Sequence, residues 1–258
     1  MNLDITKKLF LVTGATSGFG KAITEALIKE GAHIIINARG EEKLTALAEQ
    51  NPHQIETVAG DITTDETISR VTRCIGERAL SGMVINAGGP PAMSFQESDL
   101  TDWDKAYASV LRWKVKLTQE LLPLLKRENY GRIVSIESVS VKQPVTNLVL
   151  SNSLRLAVVG FVKTLSQEIA SSGVTTNILA PGYHATPAMD RLFEKQSQTK
   201  GITKQEARNA FEKEPPVQRM GKAEELASLA VWLLSPSSGY LTGQTISVDG
   251  GLVQGAFG

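Results

Sequence analysis

The sequence predicts an α/β chain: a doubly wound, seven-stranded parallel sheet with helices on both faces, folded as a single domain over residues 1–258. Three observations carry that expectation. Short apolar, β-branched runs alternate with stretches of helical periodicity; the runs are apolar throughout instead of at every second residue; and a glycine-rich loop joins the first run to the first helical stretch. Strands of a parallel sheet are covered by helices on both faces, so they read as continuous apolar runs. Regular alternation of strand and helix selects this architecture over a sandwich or a bundle.

Strands are expected at Leu9 to Val12, His33 to Asn37, Ile55 to Ala59, Met83 to Asn86, Arg132 to Ile136, Thr175 to Leu179 and Thr245 to Val248. Ile34, Ile35 and Ile36 form the clearest continuous run. Ala22, Ile23, Ala26 and Leu27 recur at helical spacing after the first strand, and Leu154, Val158, Val159, Val162, Leu165 and Ile169 specify a helix before the sixth. A chain of 258 residues is long for one domain by length alone, but no linker divides it, and α/β units of this size are common. In such a Rossmann-like sheet, ligands bind beyond the carboxyl ends of the strands, where the strand order reverses. The loops at those ends are therefore the candidate site.

The first loop is Thr13-Gly14-Ala15-Thr16-Ser17-Gly18-Phe19-Gly20. Gly14, Gly18 and Gly20 let the backbone turn sharply and approach a ligand closely, where a β-carbon would clash or demand a disfavoured φ. The helix that follows delivers its unpaired N–H groups and the positive end of its dipole to one point, which suits a pyrophosphate. An ordinary glycine turn is the alternative, and the flanking strand and helix argue against it. After the second strand comes Asn37-Ala38-Arg39-Gly40, with no acid to hold a ribose 2′-hydroxyl. Arg39 suits a 2′-phosphate, so NADP(H) is favoured over NAD(H), unless Arg39 is simply a solvated surface residue. After the third strand, Asp61 either accepts from an adenine amino group or caps the helix starting near Thr64. The fourth strand ends in Asn86-Ala87-Gly88-Gly89-Pro90-Pro91, small residues that let backbone lie against a ribose, with prolines that stiffen the exit.

Together, Thr13 to Gly20, Asp61, Asn86-Ala87-Gly88, Pro181-Gly182 with Thr186, and Gly243 with Val248-Asp249-Gly250-Gly251 resemble the short-chain dehydrogenase/reductase family across nearly the whole chain, in particular its 3-oxoacyl-acyl-carrier-protein reductases. The resemblance implies that the Thr13 to Gly20 loop, with Gly14, Thr16, Ser17, Gly18, Phe19 and Gly20, holds the pyrophosphate. It implies further that Asp61 and Ile62 hold the adenine, that Asn86, Ala87 and Gly88 line the ribose, that Pro181, Gly182 and Thr186 lie at the nicotinamide end, and that the protein is a homotetramer or homodimer.

The catalytic pattern of that family is a serine after the fifth strand, a tyrosine thirteen residues on, a lysine four further, and an asparagine in the preceding helix. Ser138 fits the serine that hydrogen-bonds a substrate carbonyl, but Ser151, Arg155 and Val110 stand at the other three positions. A serine hydroxyl is a far weaker acid than a phenol, and arginine stays protonated at any working pH. General acid–base catalysis, worth about 10²- to 10⁴-fold in rate, must then come from elsewhere or be absent. Tyr183 and His184 after the sixth strand are candidate proton donors, and Glu137 is a third; packing or surface hydrogen bonding is the alternative for the first two. Ser151 and Arg155 lie four apart on one helix face; the resemblance implies cofactor contact, with Arg155 at the nicotinamide ribose in place of the family's lysine, and the alternative is that the pair only caps or solvates the helix.

Charges balance at 27 basic against 27 acidic residues, which argues against a nucleic-acid or membrane-surface partner. The single cysteine, Cys74, fits a reducing cytoplasm and reads as a small buried apolar group beside Ile68, Val71 and Ile75 rather than as a reactive thiol. No apolar run suits a signal peptide or a bilayer span, and no metal site is expected. Residues 187–220 read as a substrate lid with an apolar wall from Met189, Leu192, Phe193 and Phe211, or as a surface helix pair. Gly250 to Gly258 suits a subunit contact, and Trp103 and Trp113 serve either that contact or the core. Two functions follow: an NADP(H)-dependent oxidoreductase acting on a small carbonyl or alcohol through an atypical site, or a nucleotide-binding homologue without reductase activity, serving as a sensor or assembly subunit.

Overall fold

A computed structural model describes residues 2–256. Seven strands, β1 (Leu9–Thr13), β2 (His33–Ala38), β3 (Ile55–Ala59), β4 (Gly82–Ile85), β5 (Gly131–Ile136), β6 (Val174–Pro181) and β7 (Thr245–Val248), form one sheet in the order β3-β2-β1-β4-β5-β6-β7. Every pairing is parallel. The helices are α1 (Gly18–Lys29), α2 (Glu41–Gln50), α3 (Asp65–Ile75), α4 (Leu100–Tyr107), α5 (Trp113–Lys126), α6 (Val149–Ile169), α7 (Pro187–Lys200), α8 (Lys204–Lys213) and α9 (Ala223–Leu234).

All seven expected strands form, with shifted ends. β1 extends to Thr13 because Thr13 pairs with Asn37 of β2, whereas Asn86 falls outside β4 because its N–H donates to the Thr13 hydroxyl at 2.8 Å. β6 is longer than expected, since Val174 pairs with Gly131 and Pro181 with Val248 at its two ends. Two apolar layers sandwich the sheet. Ile34, Ile36, Val12 and Val84 face α1 and α9 through Ile23, Leu27, Leu226 and Ala230, while Leu11, Ile35, Met83 and Ile133 face α3 and α5 through Ile68, Val71, Leu117 and Leu121. Trp113 is fully buried in the second layer, and Trp103 is half-buried.

The sheet order reverses between β1 and β4, so the loops after these two strands meet at the carboxyl edge. α4 runs into α5 through a π-helical turn, Ala108–Arg112. Such turns interrupt helices most often beside functional sites. At its centre, Val110 is buried against Val158 and Val162 of α6 and Ile178 of β6.

Cys74 is half-buried instead of buried: its neighbours Ile68, Val71 and Ile75 fill the core, while its thiol lies 3.7 Å from Glu56 Oε2. Burial and the Glu56 carboxylate push the thiol pKa up, which keeps it protonated. Residues 187–220 form the α7–α8 pair. Met189 and Phe193 of the expected wall pack with Ala207, Met220, Phe211 and Tyr183 into a small core of their own, and Leu192 is exposed. Of the Gly250 to Gly258 tail, residues 257–258 lie outside the described residues.

Candidate active site

The glycine loop is shaped by what its residues lack. A β-carbon on Gly14, which has φ of 62°, would fall 2.7 Å from the Asn86 carbonyl oxygen, and one on Gly20 would fall 2.1 Å from the Gly14 oxygen. Both contacts are closer than real β-carbons allow, so these two positions must be glycine for α1 to begin against β4. The Thr13 hydroxyl donates to the Asn86 oxygen at 2.8 Å while accepting the Asn86 N–H, and Asn86 Nδ2 donates to the Thr13 and Gly14 oxygens at 3.3 and 3.4 Å. The loops after β1 and β4 are thereby locked together. Ser17 precedes α1 without capping it, so the first N–H groups of the helix remain available for an anion, and Thr16 and Phe19 flank them. A cradle of this shape fits a dinucleotide pyrophosphate.

The remaining nucleotide-side residues lie along the same edge. Arg39 is exposed directly after β2 and makes no hydrogen bond or ion pair among the described residues. Asp61 does not cap α3: its carboxylate accepts from Thr63 N at 3.0 Å and the Thr63 hydroxyl at 2.8 Å, and Thr64 caps the helix by accepting from Thr67 N. Ile62 is buried in the core, which leaves its backbone alone to meet a base. Beyond β4, Ala87 is partly buried and Gly88 exposed, and a β-carbon on Gly88 would meet nothing. Past β6, Gly182 N donates to Val248 O, tying the end of β6 to β7. Thr186 begins α7 within van der Waals reach of a β-carbon on Gly18, so the start of the α7–α8 segment touches the glycine loop.

Four side chains, Lys114, Glu137, Ser151 and Arg155, converge beyond β5, and Ser138 follows Glu137 in the chain. Ser138 accepts a hydrogen bond from Ser140 N at 3.1 Å, which leaves its hydroxyl proton available for donation. Ser151 and Arg155 do share a face of α6: Arg155 Nε donates to Ser151 Oγ at 3.1 Å. Arg155 Nη1 donates to Glu137 Oε2 at 2.8 Å, and Lys114 Nζ forms an ion pair with Glu137 Oε1. Arg155 Nη2 has no acceptor among the described residues. It faces Gly89, where a β-carbon would stand 2.9 Å away. Arg155 is 9% exposed, Lys114 3% and Glu137 5%. Burial pushes the Lys114 pKa down, the Glu137 carboxylate pulls it back up, and the Arg155 charge lowers it again.

Three candidate proton donors are engaged in other contacts, and for Tyr183 and His184 the packing alternative holds. Glu137 is not a free proton donor, because both its oxygens are taken by cations. Tyr183 turns into the α7–α8 core, its ring edge-on to Phe211 at 4.8 Å, and burial, with Glu214 beside it, pushes its pKa well above the ordinary phenol value. His184 packs edge-on against Phe19 at 5.0 Å, with Nδ1 3.2 Å from the Gly182 oxygen. Burial lowers its pKa, so it is neutral at pH 7. It braces the glycine loop instead of presenting an acid. Sequence reasoning missed Lys114, and it read Gly89 only as part of a ribose-lining loop, without its approach to Arg155. The signal for Lys114 was available: a buried acid directly after a central strand demands a counter-ion, and Lys114 lies four residues past Val110.

The family profile described as enoyl-(acyl carrier protein) reductase matches residues 14–253. A 3-oxoacyl-acyl-carrier-protein reductase of Rickettsia felis is 32% identical, over 97% of this chain and 99% of its own. A D-beta-hydroxybutyrate dehydrogenase of Rhizobium meliloti is 30% identical, over 95% and 98%. Among solved structures, L-sorbose reductase from Gluconobacter frateurii, complexed with NADPH and L-sorbose, superposes with a TM-score of 0.92 at 27% identity, covering 99% of this chain and all of the other.

Proposed function

Given that the chain belongs to the short-chain dehydrogenase/reductase family, we propose that it is an NADP(H)-dependent oxidoreductase that interconverts a carbonyl and an alcohol through a site where fixed positive charge replaces the usual acid. The observation that carries this reading is the pair at the carboxyl edge: Ser138 with an available hydroxyl proton and Arg155 with an unmet guanidinium edge. Support also comes from the NADPH complex of the sorbose reductase and from the named carbonyl and alcohol substrates of the relatives.

In this reading Gly14, Thr16, Ser17, Gly18, Phe19 and Gly20 hold the pyrophosphate, Arg39 the 2′-phosphate, Asp61 and the Ile62 backbone the adenine, and Asn86, Ala87 and Gly88 a ribose. Pro181, Gly182, Thr186 and Arg155 meet the nicotinamide end. The bound nucleotide supplies or accepts a hydride at the substrate carbon. Ser138 donates to the substrate oxygen and orients it, and Arg155, steadied by Ser151 and Glu137, keeps a fixed positive charge at the substrate end of the site. A preorganised donor of this kind is worth about 10²- to 10³-fold in kcat. The oxygen takes its proton from water. The α7–α8 segment acts as a lid over the site, and the protein works as a homodimer or homotetramer in the cytoplasm.

A second reading is a nucleotide-binding homologue without turnover, acting as a sensor or assembly subunit. It is favoured by the engagement of Tyr183, His184 and Glu137 elsewhere. Titration with NADPH and NADH, followed by turnover on a panel of carbonyl compounds, separates the two. The proposal expects tighter NADPH binding and measurable reduction, raised further in a Ser151→Tyr/Arg155→Lys double variant. Tight NADPH binding with no turnover above the solvent background would favour the second reading.

A further inference from the structure

The buried cluster beyond β5 is not balanced. Lys114 and Arg155 bring two cationic groups, and Glu137 is the one carboxylate between them. The charged groups acting on Lys114 are Glu137 and Arg155 alone. Each Glu137 oxygen already serves one cation, so nothing among the described residues compensates the second positive charge. An uncompensated charge this deep costs several kcal/mol. The unmet portion is also localised: Nε and Nη1 of Arg155 have acceptors, and Nη2 has none.

A glycine and two departures from the family pattern keep that edge open. Gly89 carries no β-carbon to cover Nη2. Ser151 stands where the family has a phenol ring, so the space of that ring is not filled from α6. Val110 replaces a polar amide with an apolar side chain buried against α6, so that position offers the guanidinium no acceptor. The result is a guanidinium fixed on one side by a carboxylate and a hydroxyl and presenting its other edge to Gly89 of the loop after β4, while Ser138, next in the chain to Glu137, supplies the carbonyl-orienting hydroxyl.

We propose that this edge is a carboxylate subsite, and that the substrate is an oxo acid, or the matching hydroxy acid, whose carboxylate seats on Arg155 while its carbonyl oxygen meets Ser138. The proposal rests on the oxidoreductase reading and narrows its substrate class. A guanidinium edge matches a carboxylate in both charge and geometry, and a charge-assisted pair of this kind is about twice as strong as a neutral hydrogen bond. Binding the anion also completes the cluster as two cations and two carboxylates. A ribose hydroxyl on Nη2 would satisfy the donor but leave the charge unanswered.

Matched pairs test this. Turnover of NADPH with 2-oxo and 3-oxo acids is compared with turnover of their methyl esters, in the native protein and in Arg155→Met, which leaves Lys114 and Glu137 as a neutral pair and so avoids a stranded charge. Binding of malonate, an unreactive dicarboxylate, is followed by thermal shift with and without NADPH. The expected result is kcat/KM at least about tenfold higher for acid than ester, about 1.4 kcal/mol of discrimination, falling to near unity in Arg155→Met, with a malonate shift lost in the same variant. Equal turnover of acid and ester in the native protein overturns the carboxylate subsite while leaving the oxidoreductase reading intact. A preference untouched by Arg155→Met, or a variant that weakens NADPH alone, also overturns it. Absence of all turnover together with Arg155-dependent malonate binding upholds the subsite and defeats the oxidoreductase reading; absence of both defeats the two together.

Discussion

At the scale of single residues, the site is governed by what burial does to charge. Glu137 is held as the shared counter-ion of Lys114 and Arg155, and its removal would leave two buried cations facing each other, a change of the kind that costs about 3–5 kcal/mol. His184 illustrates the opposite solution, a titratable group kept neutral. Its pKa is lowered from 6.5 by burial against Phe19, so the folded state resists a proton that the unfolded state accepts. Above about pH 6.5 neither state carries that proton, and stability owes nothing to pH through this group. Below it the unfolded state binds more protons, so stability falls as pH drops toward the folded-state pKa. We expect urea melts to give a steeper loss of stability between pH 7.5 and 5.5 for the native protein than for His184→Gln. Other titrating groups are common to both proteins, so parallel curves would remove His184 from the account.

At the scale of elements, the glycine loop is positioned by three contacts that reinforce one another: the Thr13–Asn86 hydrogen bonds, the close approach of Gly14 to Asn86, and the seating of Gly20 against the Gly14 oxygen. A methyl group at Gly20 must displace that oxygen, and with it the start of α1. Gly20→Ala should therefore destabilise the fold by about 1–3 kcal/mol, as overpacking of a close contact does, and weaken NADPH binding at least about tenfold. Gly40, after β2, is the control: a β-carbon there meets nothing, and Gly40→Ala should stay within about 0.5 kcal/mol of the native protein. Urea midpoints and NADPH fluorescence titrations check both. Equal behaviour of the two variants would mean that the loop yields at no cost and that its glycines are not there for close approach.

The same distinction explains which features were legible in the sequence. Ile34-Ile35-Ile36 and the loop glycines carry their meaning in neighbouring residues, because strand burial and tight turns are set within a few positions of the chain. Ser151 and Arg155 were legible as a pair because four residues bring them to one helix face. Lys114 and Glu137 meet across 23 residues of chain, and no local pattern specifies that contact; only the cost of burying Glu137 points to a partner. The direction of Tyr183 and His184 was also beyond the sequence, since it depends on Phe211 arriving from α8 and Phe19 from the first turn of α1.

At the scale of the whole molecule, three of the large apolar side chains that the fold leaves exposed lie on two adjacent helices, and others, Tyr240 among them, lie elsewhere. α4 and α6 pack together, and Leu100 at the start of α4 is 82% exposed, Leu156 on α6 54%, with Tyr107 at the end of α4 also exposed. Side chains of this size scattered singly need no explanation, but several on two neighbouring helices mark a contact surface. Charge does not oppose association, because basic and acidic residues balance at 27 each. Leu156 lies next to Arg155 on α6, so covering this face would also restrict motion of the helix that carries the buried guanidinium. We expect light scattering to give a dimer or tetramer for the native protein and a monomer for a Leu100→Glu/Leu156→Glu double variant. Leu156 points away from the buried cluster, so the variant should retain NADPH binding; a native monomer, or a double variant that still associates, would locate the subunit contact elsewhere or remove it.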